Sequence, residues 1–179
     1  MKIAFVGPAA VGKDAVSNYI AKKCNLTHIS SGDIVRNYIK ENNLGELDRK
    51  NLQKTANKLR NEQGGDILVK IALEKNPKDV IISGLRAIDE VDTFEKLGGR
   101  VIAITAPLEK RYELAKMRGR IGEDISFEAF KKIEDEEYKS QDRNGQNVSE
   151  VVGMADIEVV NDGTLQELFD KCEKIVRSL

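Results

Sequence analysis

Residues 7–14 read GPAAVGKD, and they keep Gly7, Gly12 and Lys13 in a G-x-x-x-x-G-K spacing. Glycines let a chain curl until successive backbone N–H groups point at one anion. A helix that follows adds the positive end of its dipole, and the lysine reaches the outer phosphates. Such a loop ordinarily continues with Ser or Thr, whose hydroxyl holds magnesium; here Asp14 takes that place. In the first turn of a helix Asp14 interacts well with the macrodipole. Beside a triphosphate, a bare carboxylate is repelled unless a divalent cation bridges the two. The second argument makes Asp14 a candidate metal ligand, and the first leaves it a good helix start.

Further residues with usable chemistry follow at intervals. ISSGDIVR (29–36) carries Ser30, Ser31, Gly32, Asp33 and Arg36, IISGLR (81–86) ends in Gly84 and Arg86, and RYELAKMRGRIGED (111–124) carries Arg111, Arg118 and Arg120. An arginine fork grips a phosphate by two parallel hydrogen bonds. Phosphoryl transfer needs positive charge around the moving group more than it needs a base. Each motif alone also has an ordinary reading: serines before a helix are caps, and a charged run is a solvated face. Arginines aimed at one cleft would repel one another unless anions neutralise them.

The elements that must position these residues are readable as apolar runs alternating with amphipathic stretches. Strands are predicted at 2–6, 27–29, 79–83, 100–105 and 157–160. Their Val and Ile content without polar alternation suits burial on both faces, so the chain reads as α/β with a parallel sheet wrapped by helices. Helices are predicted at about 14–24, 32–43, 48–63, 66–75, 88–97, 108–118, 126–140 and 164–178, the last opened by a Thr164/Glu167 capping box. Residues 32–75 hold helices with no strand between them, and the polar SQDRNGQNVSE (140–150) reads as a mobile loop.

With 179 residues, 40% hydrophobic and 33% charged, the chain is expected to be one domain, 1–179. A net charge of −1 offers no field for a nucleic acid polymer or an anionic membrane. No run approaches the roughly 20 apolar residues of a membrane span, and the start MKIAFV runs straight into the loop without a leader, so a cytoplasmic location is expected. Cys24 and Cys172 lack metal-ligand spacing and read as ordinary thiols. The single His28 makes a histidine metal site improbable.

ISSGDIVR resembles the ISTGDMLR signature of adenylate kinases, at about the same distance from the phosphate loop. IISGLR resembles the Asp-Gly-x-Arg of archaeal adenylate-kinase-related and dephospho-CoA-kinase-like proteins, with Ser83 in place of the aspartate. The arginine run with Gly119 and Gly122 looks like a nucleoside monophosphate kinase lid. ADIEVVNDGTLQEL (155–168) resembles the closing strand, turn and helix of dephospho-CoA and dNMP-kinase-like families, and LRNEQGGD (59–66) recurs in the archaeal proteins. The resemblance implies a three-layer P-loop kinase fold with a five-stranded parallel sheet, an acceptor-binding insertion at about 32–75 and a lid at about 118–126. It implies ATP and Mg2+ as cofactors and a small-molecule nucleotide as partner. ATP would be bound by Gly7, Ala10, Val11, Gly12, Lys13, Asp14, Ala15, Arg118, Asn161 and Gly163. The acceptor would be bound by Ser31, Gly32, Arg36, Arg60, Gly84 and Arg86. Catalysis would fall to Lys13, Arg118 and Arg120, with Asp33 as the available base.

The expected reaction is transfer of the γ-phosphate of ATP to a nucleoside monophosphate. A dephospho-CoA kinase acting on a ribose hydroxyl through Asp33, and a P-loop ATPase or nucleotide-binding regulator with no acceptor, stay open. A carboxylate missing at 83 and gained at 14 would mean that the magnesium-organising charge has moved between neighbouring segments. Asp14→Ala is expected to lose magnesium-dependent activity while keeping its fold, which an activity assay beside circular dichroism checks.

Overall fold

In the computed structural model, which describes residues 1–75, 78–119, 125–138 and 147–179, β1 (Lys2–Val6) is fully buried from Ile3 to Val6. A strand apolar on both faces belongs between neighbours. It pairs in parallel with β3 (Val80–Ser83) on one side and β4 (Arg100–Thr105) on the other. β2 (Thr27–Ser30) and β5 (Ile157–Val160) complete a five-stranded sheet of order β2-β3-β1-β4-β5. The chain therefore crosses to the edge, fills the gap beside β1, and passes to its other side. Ligands of such sheets bind beyond the carboxyl ends of the strands where the order reverses. Gly7, Ser31, Gly84 and Asn161 each follow directly on the carboxyl end of a strand.

Side-chain alternation sorts the core into layers. Ile3, Phe5, Ile81, Ile102 and Ile104 meet α1 (Lys13–Cys24) and α9 (Leu165–Val176), whose Val16, Ile20, Leu168 and Cys172 cover that face. Ala4, Val6, Val80, Ile82, Val101 and Ala103 meet the other layer, where Val69 of α4 (Ile67–Lys75), Phe94 of α5 (Ile88–Lys96) and Val151 of α8 (Val148–Gly153) pack. Each such large side chain contributes about 1.5–3 kcal/mol by leaving water. Between α2 (Ser31–Glu41), α3 (Arg49–Gln63) and α4, a separate cluster of Val35, Ile39, Ala56, Leu59 and Leu68 holds the helical insertion together. A fourth cluster joins Ala10 of the glycine loop to Ala115 of α6 (Leu108–Arg118) and Phe130 of α7 (Phe127–Tyr138).

The predicted strands and long helices all form, with ends shifted by up to two residues. The Thr164 cap forms as expected, with Glu167 N–H donating to the threonine hydroxyl and the Glu167 carboxylate accepting from Thr164 N–H. One reading needs correction: the polar run taken as a loop over 140–150 ends in structure. Asn147 is buried, its N–H donates to the Arg86 carbonyl at 2.8 Å, and α8 follows with Val148 and Val151 buried. Two valines one turn apart were hidden by their polar neighbours. Residues 120–124 of the expected lid, and 140–146, lie outside the described residues. Among the described residues no helix is long and apolar enough to cross a membrane.

Gly7 sits at φ 129°, and a Cβ there would lie 2.1 Å from the Ile104 carbonyl oxygen. Gly98, at φ 78°, has open space around the same position. Gly7→Ala is therefore expected to lose about 3 kcal/mol or more of stability through overpacking and left-handed strain together, and Gly98→Ala about 1 kcal/mol. Urea unfolding midpoints check the contrast.

Candidate functional site

The turn from β1 into α1 is a nest of unusual backbone. Gly7 and Gly12 have φ of 129° and 98°, and Ala10 takes φ 59° although it carries a Cβ. A left-handed non-glycine residue costs about 1–2 kcal/mol, and such strain collects where backbone amides are aimed at a ligand. Gly12 is the N-cap of α1 and has no side chain to occupy the helix terminus. Val11 is wholly buried in the core, so only its backbone can face a ligand. Asn161, buried after β5, donates from Nδ2 to the Val11 carbonyl at 3.0 Å and so braces the loop from behind; its Oδ1 is buried with no hydrogen-bond partner among the described residues. The carbonyl of Gly163 accepts from Lys110.

Lys13 is 8% exposed, and its ammonium donates to the carbonyls of Gly7 at 2.9 Å and Pro8 at 2.5 Å. Burial, with Arg86, Arg118 and Arg111 close by, lowers its pKa to about 7 against the opposing pull of Asp14. An ammonium held that reluctantly gains from an anion next to it.

A cleft opens beside it, lined by Ala9, Ala10, Lys13, Asp14, Ser30, Ser31, Gly32, Arg36, Gly84, Arg86 and Arg118. Its far wall comes from the insertion: Val35, Leu47, Arg49, Leu52, Gln53, Ala56, Arg60 and Leu68. Arg36, Arg60, Gly84, Arg86, Arg118, Ser31 and Gly32 are thus brought to the same cleft as Lys13 and Asp14. Ser31 Oγ donates to the Gly84 carbonyl at 2.6 Å, tying the starts of the two loops together. A Cβ on Gly32 would crowd Arg36 Nη1 at 3.2 Å, so the glycine leaves room for that guanidinium.

Carboxylates hold the arginines in place. Glu90, fully buried, accepts from Arg60 Nε at 2.9 Å and from the backbone N–H groups of Arg86 and Ala87 at 2.8 and 3.1 Å. Glu134 accepts from both Arg49 and Arg111, and Arg49 also lies over the Phe130 ring. Asp33 accepts from Arg36 Nη1 at 2.6 Å; its side chain is 65% exposed and is not part of the cleft lining. Arg120 lies outside the described residues. Arg49, Gln53, Glu90 and Glu134 were not singled out in the sequence, because a charged helix start and a lone glutamine carry no motif.

Asp14 Oδ1 accepts from Ser83 Oγ at 2.7 Å. The two positions at which this sequence departs from the resembled pattern therefore face each other. Among the described residues no group of three or more His, Cys, Asp or Glu gathers as a metal ligand set. Magnesium in nucleotide sites is held through one or two carboxylates with the substrate's phosphates, and Asp14 fits that donor set.

An AAA-domain family model matches residues 6–131. The chain is 34% identical over 188 residues to a UPF0200/UPF0201 protein of Archaeoglobus fulgidus, covering 99% of this chain and only 55% of that longer protein. It is 31% identical to a UPF0200 protein of Thermococcus onnurineus, covering 100% of this chain and 98% of that one. With a UPF0200 protein of Methanocaldococcus jannaschii the identity is 33%, over 99% and 89%. Among solved structures, shikimate kinase from Bacteroides thetaiotaomicron superposes with a TM-score of 0.66 at 13% identity, covering 99% of this chain and 98% of that one. Shikimate kinase from Aquifex aeolicus gives 0.57 at 17% identity, over 99% and 97%. These likenesses show the fold, that of the P-loop kinases.

Binding of a metal-free triphosphate at pH 8 is expected to take up a proton, approaching one per site, since Lys13 is largely neutral there and a phosphate favours its charged form. Uptake should vanish near pH 6, where the lysine is already charged. Calorimetric titration in buffers of differing ionisation enthalpy reads the slope. Burial also pushes the Cys172 thiol up to about 12, so native alkylation should label Cys24 and spare Cys172, as peptide mass mapping would show.

Proposed function

The chain belongs to the AAA-domain family and to the UPF0200 proteins, and from that premise we propose that it is an ATP- and magnesium-dependent phosphotransferase that phosphorylates a nucleoside monophosphate. The observation that carries this reading is one cleft with two chemically distinct halves. The first half is the anion cradle of loop amides, Lys13 and Asp14. The second is an arginine cluster continuing into an apolar wall with a single amide, Gln53. A phosphate fits the arginines, a flat base fits between Val35, Leu52, Ala56 and Leu68, and Gln53 offers both a donor and an acceptor to its edge.

Gly7, Gly12 and the amides between them bind the donor phosphates, with Lys13 on the outer ones, and Asp14 holds the magnesium. That ion, when bound, neutralises charge on the phosphate oxygens. Arg36 and Arg86 orient the acceptor phosphate in line with the donor, which supplies most of the advantage available to a reaction of this kind. Arg118, at the end of α6, brings further positive charge to the transferring group, and Arg120 is proposed to act with it. Asn161 and Gly163 are proposed to border the donor base.

A monophosphate, with a second pKa of about 6, is ionised at neutral pH and asks for no base. A hydroxyl acceptor would ask for one, and Asp33 is engaged with Arg36 outside the cleft lining. That geometry favours the phosphate acceptor over a ribose hydroxyl.

ADP formation from Mg-ATP, measured with each ribo- and deoxyribonucleoside monophosphate and with dephospho-CoA against a no-acceptor blank, is expected to respond to one or a few monophosphates. Equal rates with every acceptor and the blank would remove the reading and leave an ATPase or regulator. Arg36→Ala and Arg86→Ala should each raise the KM for the acceptor by about 10–100-fold, the worth of a hydrogen-bonded charge, with the KM for ATP nearly unchanged.

A further inference from the structure

The contact between Asp14 and Ser83 extends one residue further. His28 Nε2 lies 2.9 Å from the same Ser83 Oγ, and His28 Nδ1 lies 2.9 Å from the Oδ1 end of the Asn18 side-chain amide. The topology builds this line. Parallel pairing sets Ser30 opposite Ser83 and His28 opposite Ile81, on the sheet face covered by α1. Asp14 and Asn18 are four residues apart in α1 and so share one side of that helix.

Proton counting sets the direction of each bond. A serine hydroxyl has one proton, and Ser83 donates it to Asp14 Oδ1. Toward His28, Ser83 can then only accept, so Nε2 carries the ring proton. Burial holds the His28 pKa below its ordinary value, against Asp14 and Asp33, which favour the charged ring. A neutral ring protonated at Nε2 has a bare Nδ1. A half turn of the Asn18 amide, which leaves its outline unchanged, presents an N–H to that nitrogen.

We propose that His28 and Ser83 are positioning residues that fix the Asp14 carboxylate through the relay Nε2–H···Oγ–H···Oδ1. The proposal rests on the reading of Asp14 as the cation ligand. A carboxylate has two oxygens and a side chain that turns, whereas the hydroxyl usual at this position has neither freedom to the same degree. Exchanging one for the other therefore creates a need for an outer partner, and Ser83, wholly buried at the end of β3, meets it. His28 in turn keeps the serine proton from pointing elsewhere.

The chain holds one histidine, so two-bond 1H–15N correlation of its imidazole in the cation-free protein gives one unambiguous pattern. The expected result is the Nε2–H tautomer in the wild type at pH 7.5, giving way to a tautomer mixture in Ser83→Ala. In parallel, Mn2+ titration of the ATP-bound protein followed by electron paramagnetic resonance should show Ser83→Ala and His28→Ala binding the ion about 10-fold more weakly, the usual loss for an outer partner. An Nδ1–H or averaged ring in the wild type overturns the relay, and decides the matter even where a variant fails to fold. Unchanged Mn2+ affinity in both variants overturns the positioning role. Unchanged affinity in Asp14→Ala would instead remove the cation reading beneath the proposal; it is told apart from failure of the relay by the tautomer, which is read without any cation.

Discussion

Positive charge gathered at the carboxyl edge of a parallel sheet is the condition on which the rest of this structure depends. Lys13, Arg36, Arg49, Arg60, Arg86 and Arg118 line one cleft, and cations in a half-buried space repel one another and resist desolvation. Carboxylates from distant parts of the chain make the arrangement tolerable. Glu90 joins α3 to the loop after β3, Glu134 joins α7 to the insertion and to α6, and Asp33 steadies Arg36 within α2. The pair formed by Arg60 and Glu90 is almost wholly buried; losing one partner of such a pair costs about 3–5 kcal/mol. These carboxylates hold guanidinium groups in fixed directions, and charge arranged in that way needs no reorganisation to meet an anion.

The glycine loop obeys the same logic from the other side of the cleft. Gly7 passes so close to the Ile104 carbonyl that a Cβ has no room, and Ala10 accepts a left-handed backbone. Asn161 and the cluster of Ala10, Ala115 and Phe130 press on the loop from behind and above. Core packing thereby maintains a backbone shape that the isolated octapeptide would not keep.

Asp14 and Ser83 show how two departures from a pattern can meet in space. Each residue alone looks like a lost function: a hydroxyl missing from the loop, a carboxylate missing from the strand end. Set 2.7 Å apart and hydrogen-bonded, they put a carboxylate in the lining of the cleft and a buried hydroxyl directly behind it, with the owners exchanged.

Much of this was legible in the order of the residues. Apolar runs such as KIAFV and RVIAIT announced buried parallel strands because a strand covered on both faces has no polar alternation to show. The glycine spacing announced the cradle because only glycine takes those backbone angles without strain, and Thr164 with Glu167 announced a helix start that depends on residues three apart. Such features are short-range, so the sequence by itself determined them. What only the tertiary structure decided are the pairings across long separations: Ser83 with Asp14, Glu90 with Arg60, Glu134 with Arg49 and Arg111, and Asn161 with the loop. α8 was also decided there, since its valines form a face only when α5 and β1 are present to receive it. No local pattern distinguishes a glutamate that solvates a helix from one that holds two arginines, because the difference lies in which other segment the sheet order brings alongside.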